Sequence, residues 1–228
     1  MADQETEGPS SANEAYNEIQ RLIVIGALPA YELLSESDLT RRTGCGRTPV
    51  REALQRLKFD GFVDVLPRRG IMVTPVDITR QLELLETRRP SEVLMVTLAA
   101  RRATDEQREN MRLLADEVEA AIAAMNRDKY LELNQATHVL EAQASQNRYL
   151  IRQMTMLHSL SRRFWYSFIS DTSSFSLAAK HHARTLRAIA SGDPETAQVE
   201  CLALLDLLEQ VSRKAIEDRL HSSKDRTD

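Results

Sequence analysis

The sequence predicts a mainly α-helical protein, with three helices and a β-hairpin in its first third and an antiparallel helical bundle in the remainder. The turn-forming residues support this division, because six of the seven glycines and five of the seven prolines lie at or before residue 75. Apolar residues recur at helical spacing on both sides of this point. We therefore predict two domains, 11–76 and 77–220.

The first two helices are predicted from their apolar spacing and their ends. Residues 13–26 carry isoleucines and a leucine at helical spacing and stop at a glycine. Ser35 is predicted to cap a short helix over 36–43, because its hydroxyl can accept a free backbone N–H, and Gly44 is predicted to end that helix. A tight turn then leads to the next helix.

The third helix and the hairpin follow from residues 44–74. Thr48 is predicted to cap the helix with Pro49 at its first position, where the missing N–H would have no partner. The helix is predicted to end at Gly61. The segments FVDVL (62–66) and GIMVT (70–74) flank the turn PRRG and are predicted to form a strand pair with a basic tip.

The remainder is predicted to be an antiparallel bundle of six helices. Thr104 with Gln107 makes a capping box, and Asp193 followed by Pro194 is a second helix start. Pro90 lies inside the first of these helices and is predicted to kink or break it. The predicted helices are 77–102, 105–126, 128–145, 148–170, 175–191 and 194–218.

Composition limits the class of protein. The 228 residues carry a net charge of −4 and no apolar run near the ~20 residues that a bilayer span requires. Cys45 and Cys201 are predicted to be free thiols in a reducing compartment, with a disulfide as the alternative. Residues 1–10 are predicted to be disordered and 221–228 to form a flexible tail. We expect a cytoplasmic protein with no membrane partner.

The basic residues concentrate in one window of an acidic chain. Residues 35–75 hold eight basic and five acidic side chains. Arg47 and Arg51 stand at the start of the third helix, although its free N–H groups favour acids there. A short helix, a turn and a second helix with a basic start form a helix-turn-helix, whose second helix enters the major groove of DNA. The alternative is a solvated, purely structural unit.

The stretch LSESDLTRRTGCGRTPVREALQRLKFDGFVDVLPRRGIMVTPV resembles the winged helix-turn-helix of GntR-family transcription regulators. The family often has serine where Gly46 stands, and some members have a DNA-contacting arginine where Ser37 stands. The resemblance implies that the second helix and the wing contact operator DNA. The predicted DNA contacts are Arg47, Thr48, Arg51, Arg69, Gly70, Arg41 and Ser37.

The second part resembles the all-helical effector domain of the FadR subgroup, called FCD. The stretches that carry the likeness are LETRRPSEVLMVTLAARRAT, NQATHVLEAQASQN and HHARTLRAIASGD. Many FCD domains hold a divalent metal with one Asp and three His. Those positions are Asn134, His138, His182 and Leu204 here, so two of four ligands are missing. We expect no tightly bound metal and no other cofactor, and His158 and His181 would complete a site only if their helices turn inward.

The remaining histidines then suggest a different pocket. Asn134, His138 and His182 are predicted to hydrogen-bond a small organic effector; the alternative is a pair of buried, hydrogen-bonded imidazoles. Arg162 and Trp165 share a helix face with His158 and could clamp a carboxylate beside a ring, or could be core packing with a surface ion pair. Arg88 is a further predicted effector contact.

These observations predict a homodimeric transcription regulator that binds an inverted-repeat operator and responds to a small metabolite, with repression relieved by the effector as the expected sign. One alternative is a helical-bundle metalloenzyme that uses the histidines. Another is a DNA-binding dimer without an effector. The sequence contains no G-x-S-x-G, H-E-x-x-H or P-loop pattern, so we predict that the protein is not an enzyme.

Overall fold

The computed structural model describes residues 11–169 and 171–224. The tail predicted at 1–10 and the last four residues of the tail predicted at 221–228 lie outside the described residues, whereas 221–224 continue the last helix, so the prediction of a flexible tail there is wrong. The helices are α1 Ser11–Val24, α2 Glu36–Thr43, α3 Arg47–Phe59, α4 Arg80–Arg102, α5 Asp105–Ala123, α6 Arg127–Ala144, α7 Arg148–Phe168, α8 Thr172–Ser191 and α9 Pro194–Lys224, and the strands are β1 Leu33–Leu34, β2 Val63–Leu66 and β3 Gly70–Val73. The mainly helical fold class, with a small winged sheet, is confirmed.

The chain forms two compact units. Within the described residues, the N-terminal unit contains 11–76 together with Arg162–Ser167, and the helical unit contains Asp77–Ser161 and the described residues from Phe168 onward. Each unit buries its own apolar side chains, which supply most of its stability. The fully buried core residues of the N-terminal unit include Ile19, Leu39, Leu57 and Phe62, and those of the helical unit include Met95, Met111, Leu186 and Leu205.

Helix α2 begins and ends as its sequence predicts. The Ser35 hydroxyl accepts the Asp38 N–H, and the Asp38 carboxylate in turn accepts the Ser35 N–H, so each satisfies a backbone donor that the helix leaves free. Gly44 ends the helix with a φ of +72° and donates its N–H to the Thr40 carbonyl. This local chemistry fixes the turn that leads into α3.

Helix α3 starts earlier than predicted. Its cap is Gly46, not Thr48, because Gly46 is extended and its carbonyl already accepts the Val50 N–H at 3.1 Å. Pro49 therefore lies third in the helix, still within the first turn, where N–H groups have no helical partner. The helix ends at Phe59, with Asp60 as its cap. The predicted apolar face is confirmed, since its residues Val50, Ala53, Leu54 and Leu57 are all buried.

The wing contains a strand that the sequence pattern did not reveal. Strands β2 and β3 form the predicted antiparallel pair, and β1 pairs with the other edge of β3 through Leu33 and Met72. At Gly70 the backbone has a φ of +106°, and a Cβ atom there would lie 2.6 Å from the Leu34 carbonyl oxygen. A glycine is therefore required where β3 begins to pair with β1.

The helical unit has α5 packed against α8, and α9 packed along α4 and α8. The capping box of Thr104 and Gln107 is confirmed. Helix α4 is continuous through Pro90, so of the predicted kink or break, the break is wrong. Pro90 and Glu86 are both exposed, so water can bond the Glu86 carbonyl that the proline leaves without a partner, while the packing along α9 holds the helix together. Both cysteines are free thiols, as predicted.

Candidate functional site

The predicted DNA contacts of the N-terminal unit lie on its surface. We call this set the basic face and define it by its exposed members Ser37, Arg41, Arg47, Thr48, Arg51 and Arg69. Gly70 lies beside them at the start of β3. Arg47 makes no ion pair within the described part of the chain. Its guanidinium is therefore available to an external anion.

Arg51 is held by a carboxylate of α2. Its Nε lies 3.1 Å from Oε1 of Glu36 and its Nη2 lies 2.8 Å from Oε2, which is a two-pronged ion pair. The Arg51 side chain remains 66% exposed. The hydrogen bond from Arg51 holds the pKa of Glu36 below its usual value. Because an exposed ion pair contributes little net free energy, a phosphate or a base edge can replace Glu36.

The tip of the wing presents two more arginines. Arg68 has a φ of +62°, a left-handed conformation that turns the chain between β2 and β3. Arg69 follows it, and its N–H donates to the Leu66 carbonyl at 3.1 Å, which closes the turn. Both side chains are exposed. The turn therefore presents two positively charged side chains to solvent.

The helical unit contains a second candidate site, which we call the buried polar cluster. Its side chains come from α4, α6, α7 and α8. Its members are Arg88, Glu92, Asn134, His138, Glu141, His158, Ser161 and His182, each at most 7% exposed. Buried polar groups are costly unless they are hydrogen-bonded, so their arrangement constrains what the site can do.

One half of the cluster is a closed ion-pair network. Arg88 Nε and Nη2 lie 3.1 and 2.9 Å from the two carboxylate oxygens of Glu92, and Arg88 Nη1 donates to the Ser161 hydroxyl at 2.7 Å. His158 Nε2 donates to Glu92 Oε1 at 2.8 Å. Burial acts to raise the pKa of Glu92, but the charges of Arg88 and His158 outweigh it and lower that pKa to about 2. Glu92 is therefore an ionised, fully engaged carboxylate.

The other half joins the predicted effector contacts. Asn134 Nδ2 lies 3.3 Å from His138 Nε2 and 2.9 Å from His182 Nε2. The rings of His138 and His182 meet edge to face, and the ring of His138 stacks on His158 with 3.7 Å between centroids. Burial lowers the pKa of His182 to about 3, so this imidazole is neutral. The amide and the two imidazoles thus contact each other directly.

Among the buried polar atoms without a hydrogen-bond partner within the described residues are one in this cluster and one on the residue that precedes His138. They are Thr137 Oγ1 and Glu141 Oε1, which lie one helical turn apart on α6. Burial, reinforced by the charge of Glu92, raises the pKa of Glu141 well above its usual value. This shift favours the protonated form of the Glu141 carboxyl group.

The other predicted contacts lie elsewhere. Arg162 and Trp165 are buried in α7, within the segment that belongs to the N-terminal unit, and burial lowers the pKa of Arg162 to about 10. His181 turns away and hydrogen-bonds Glu200 at 2.7 Å, whereas His158 does turn inward. Sequence reasoning missed Glu92 and Glu141, although their spacing from Arg88 (i+4) and His138 (i+3) places each pair on one helix face.

A cavity of about 260 Å³ lies in the helical unit beside the buried polar cluster. Tyr130 forms part of its wall, and its ring also approaches His182, with 6.3 Å between centroids. The Arg127 guanidinium stacks over the Phe175 ring at 4.5 Å. The lining includes Ile122, Met125, Arg127, Tyr130, Phe175 and Ser176. This cavity is apolar with one positive group, which suits a small organic molecule.

Across the described part of the chain, we find no helix with the length and apolar character needed to cross a bilayer.

Comparison with known proteins agrees with this geometry. The profile of the FCD domain matches residues 83–207, and the profile of bacterial regulatory proteins of the gntR family matches residues 11–73. The YdhC HTH-type transcriptional regulator of Bacillus subtilis is 31% identical over 136 residues, which are 59% of this chain and 61% of YdhC. The match thus spans less than two thirds of that relative's length.

A more distant sequence relative and a solved structure are also similar to this chain. The Nta operon transcriptional regulator of Aminobacter aminovorans is 28% identical, covering 76% of this chain and 79% of its own length. The solved structure of McbR/YncC from E. coli has a TM-score of 0.75 at 20% identity and covers 93% of this chain and 100% of its own. The matched families are regulators and not enzymes. The chain therefore belongs to the GntR family of bacterial regulatory proteins and carries an FCD domain.

Proposed function

We propose that the protein is a homodimeric repressor of the FadR subgroup that binds an inverted-repeat operator in the cytoplasm. The observation that carries this proposal is the basic face, where the cations at the start of α3 and at the wing tip remain exposed. Two-fold symmetry of a dimer matches two-fold symmetry of an operator. The helix-turn-helix family supports DNA as the partner.

The arginines of the basic face have two roles in this proposal, namely base recognition and phosphate contact. Arg47 and Arg51 stand one turn apart at the start of α3, where forked guanidinium groups suit the O6 and N7 atoms of guanine. To contact a base, Arg51 gives up its ion pair with Glu36 and hydrogen-bonds the base edge instead. Arg69 at the wing tip suits a phosphate, which fixes register without reading sequence. Gly70 allows the wing its close backbone turn.

The test is a binding titration on duplex DNA selected from a random library by the wild-type protein. Replacing Arg47 or Arg51 with Ala should weaken binding about 5- to 150-fold, as loss of a bidentate guanine contact predicts. Arg187→Ala is the matched control, because it removes the same charge from an exposed ion pair on the helical unit. Unchanged affinity in both α3 variants would contradict the proposal.

The Arg69→Ala variant shows whether Arg69 contacts a phosphate or recognises a base. Its loss should weaken binding evenly across DNA sequences and reduce the salt dependence by about one ion, as loss of a phosphate contact predicts. A change confined to one base position would instead make Arg69 a base reader. Sedimentation equilibrium of the free protein tests the dimer, and a monomer at micromolar concentration would contradict that part.

We further propose that a small organic molecule binds the helical unit and shifts DNA affinity. The FCD domain supports an effector, and the 260 Å³ cavity lined by Arg127, Tyr130 and Phe175 supports its position. Coupling of this kind is typically worth about 1–3 kcal/mol, enough to change operator occupancy several-fold or more. Binding must favour one arrangement of the dimer for this to follow.

A thermal-shift screen with organic acids, sugars and acyl-CoA tests the effector. A hit should raise the melting temperature of the wild type and lose its effect in Ser176→Phe, which fills the cavity from a half-buried wall position. The same compound should change operator affinity. A compound that binds without changing operator affinity, or a screen with no hit in any class, would favour a dimer without an effector.

A further inference from the structure

The buried polar cluster places an amide between two imidazoles. Asn134 Nδ2 lies 2.9 Å from His182 Nε2 and 3.3 Å from His138 Nε2. The nitrogen carries two N–H bonds, and an imidazole nitrogen accepts such a bond only when it is unprotonated. The rings meet at 79°, so two nitrogens from different ring planes converge on one atom. All three side chains are at most 7% exposed.

A second contact agrees with this proton placement. If Nε2 of His138 is an acceptor, the ring proton lies on Nδ1. That Nδ1 lies 3.6 Å from Glu141 Oε2, an electrostatic contact that is longer than a hydrogen bond. The two Nε2 atoms that face the Asn134 amide are therefore compatible with rings protonated at Nδ1.

The metal that FCD domains often hold does not fit these residues. A metal ion would need the same two Nε2 lone pairs that face the Asn134 amide. Asn134 supplies no negative charge, and Leu204, buried in the position of the fourth ligand, has no donor atom. Transition metals prefer imidazole and carboxylate ligands, so two neutral imidazoles and one amide make a poor site.

The neighbouring group of Glu92, His138 and His158 does not replace it. Ligand-type atoms of these three residues lie within 4.8 Å of one another. However, the Glu92 carboxylate already accepts bonds from Arg88 and His158, and the Arg88 charge repels a cation. The rings of His138 and His158 are stacked 18° from parallel, so their in-plane lone pairs do not converge on one point.

We propose that the Asn134 amide takes the place of the metal ion and cross-links α6 to α8 by donating one N–H bond to each imidazole. The two histidines at family ligand positions are then held by neutral hydrogen bonds to Asn134 instead of by a metal. We call this three-residue arrangement the brace. An effector that needs a metal to chelate its oxygens is then excluded. This last consequence depends on the proposed effector role, whereas the brace itself does not.

A metal-binding comparison tests the replacement. The wild type in EDTA, and then with ZnCl₂, NiCl₂ or MnCl₂, should show no metal-dependent rise in melting temperature. Asn134→Asp restores a carboxylate four residues before His138, and should gain a rise with ZnCl₂. Asn134→Asp combined with His182→Gln is the matched control and should lose that gain. A metal-dependent rise in the wild type that His138→Gln or His182→Gln removes would overturn the proposal.

Absence of any gain in folded Asn134→Asp would overturn it as well, because the place between the rings would then not accept an ion.

A measurement on the wild type avoids dependence on variant folding. In ¹⁵N-histidine-labelled protein at pH 7.5, long-range ¹H–¹⁵N spectra should show Nε2 unprotonated and Nδ1 protonated in His138 and His182. Signals are assigned with the two Gln variants. Protonated Nε2 atoms would mean that the amide oxygen faces the rings, and the proposal would fail. No step requires DNA or an effector, so this failure is distinct from failure of the proposed function.

Discussion

Two ion pairs of this chain have nearly the same geometry and opposite surroundings. In the N-terminal unit, Arg51 holds Glu36 with distances of 3.1 and 2.8 Å. In the helical unit, Arg88 holds Glu92 with distances of 3.1 and 2.9 Å. The Arg51 side chain is 66% exposed and that of Arg88 is 2% exposed. Solvent access, and not contact geometry, distinguishes the two pairs.

This difference in solvent access suits the exposed pair to ligand binding and the buried pair to structural support. Water screens the exposed pair, so Arg51 can leave Glu36 for a nucleic-acid partner at small cost. Neither member of the buried pair can leave, because an unpaired charge would remain in an apolar interior. The exposed arginine is therefore suited to binding, and the buried one fixes the α4 side of the polar cluster. Their substitution should reveal this contrast most clearly.

The largest effect is expected at the buried pair. Arg88→Met leaves the ionised Glu92 with His158 as its remaining partner, and loss of one member of a buried pair costs about 3–5 kcal/mol. Denaturant unfolding followed by helical circular dichroism measures this loss. The double variant Arg88→Met with Glu92→Leu should recover most of it, because neither member of the pair is then left buried without the other. A single-variant loss that the double variant does not reduce would show that packing, not charge, is decisive.

A backbone position gives the next largest effect. Gly70→Ala combines a φ of +106° with a Cβ atom 2.6 Å from the Leu34 carbonyl, and strain at one such residue costs about 1–3 kcal/mol. The β1–β3 pairing should open, and DNA affinity should fall with it. Gly26→Ala is the control, since it has a φ of +76° but no atom within 4 Å of the added Cβ. Equal losses of stability in both variants would mean that the clash at Leu34 is relieved without cost.

Local chemistry explains what the sequence could predict. Ser35 and Asp38 are three residues apart, so their reciprocal cap is visible in the sequence, and α2 has the predicted bounds. Strand β1 is two residues long and depends on Met72, 39 positions after Leu33, so no local alternation indicates it. Thr48 was wrongly predicted as the α3 cap because it matches the preferred residue types, whereas the extended Gly46 sets the actual start.

The buried polar cluster was predictable only in part. The resemblance to FCD domains indicated Asn134, His138 and His182 as neighbours, and the structure brings them together. The resemblance did not indicate that the Glu92 carboxylate would accept hydrogen bonds from both Arg88 and His158, because this depends on how α4 packs against α7. The exposure of Arg47 and Arg51 followed from the amphipathic pattern of α3. The roles predicted for these residues stay predictions until the binding tests are made.

The smallest effect on stability is expected at the exposed pair. Glu36→Gln should leave the denaturant midpoint nearly unchanged, because exposed ion pairs contribute almost nothing measurable. Binding to non-cognate duplex DNA should tighten by a few-fold at low salt, since one negative charge leaves the surface that meets phosphates and Arg51 is released. Discrimination between cognate and non-cognate DNA should fall, because Glu36 no longer holds Arg51 in one direction. Glu92→Gln is the buried counterpart and should lower the midpoint substantially while leaving the salt dependence of DNA binding unchanged. If the two variants instead lowered stability equally, solvent access would not be what separates these pairs, and the binding role assigned to the exposed arginine would lose its physical basis.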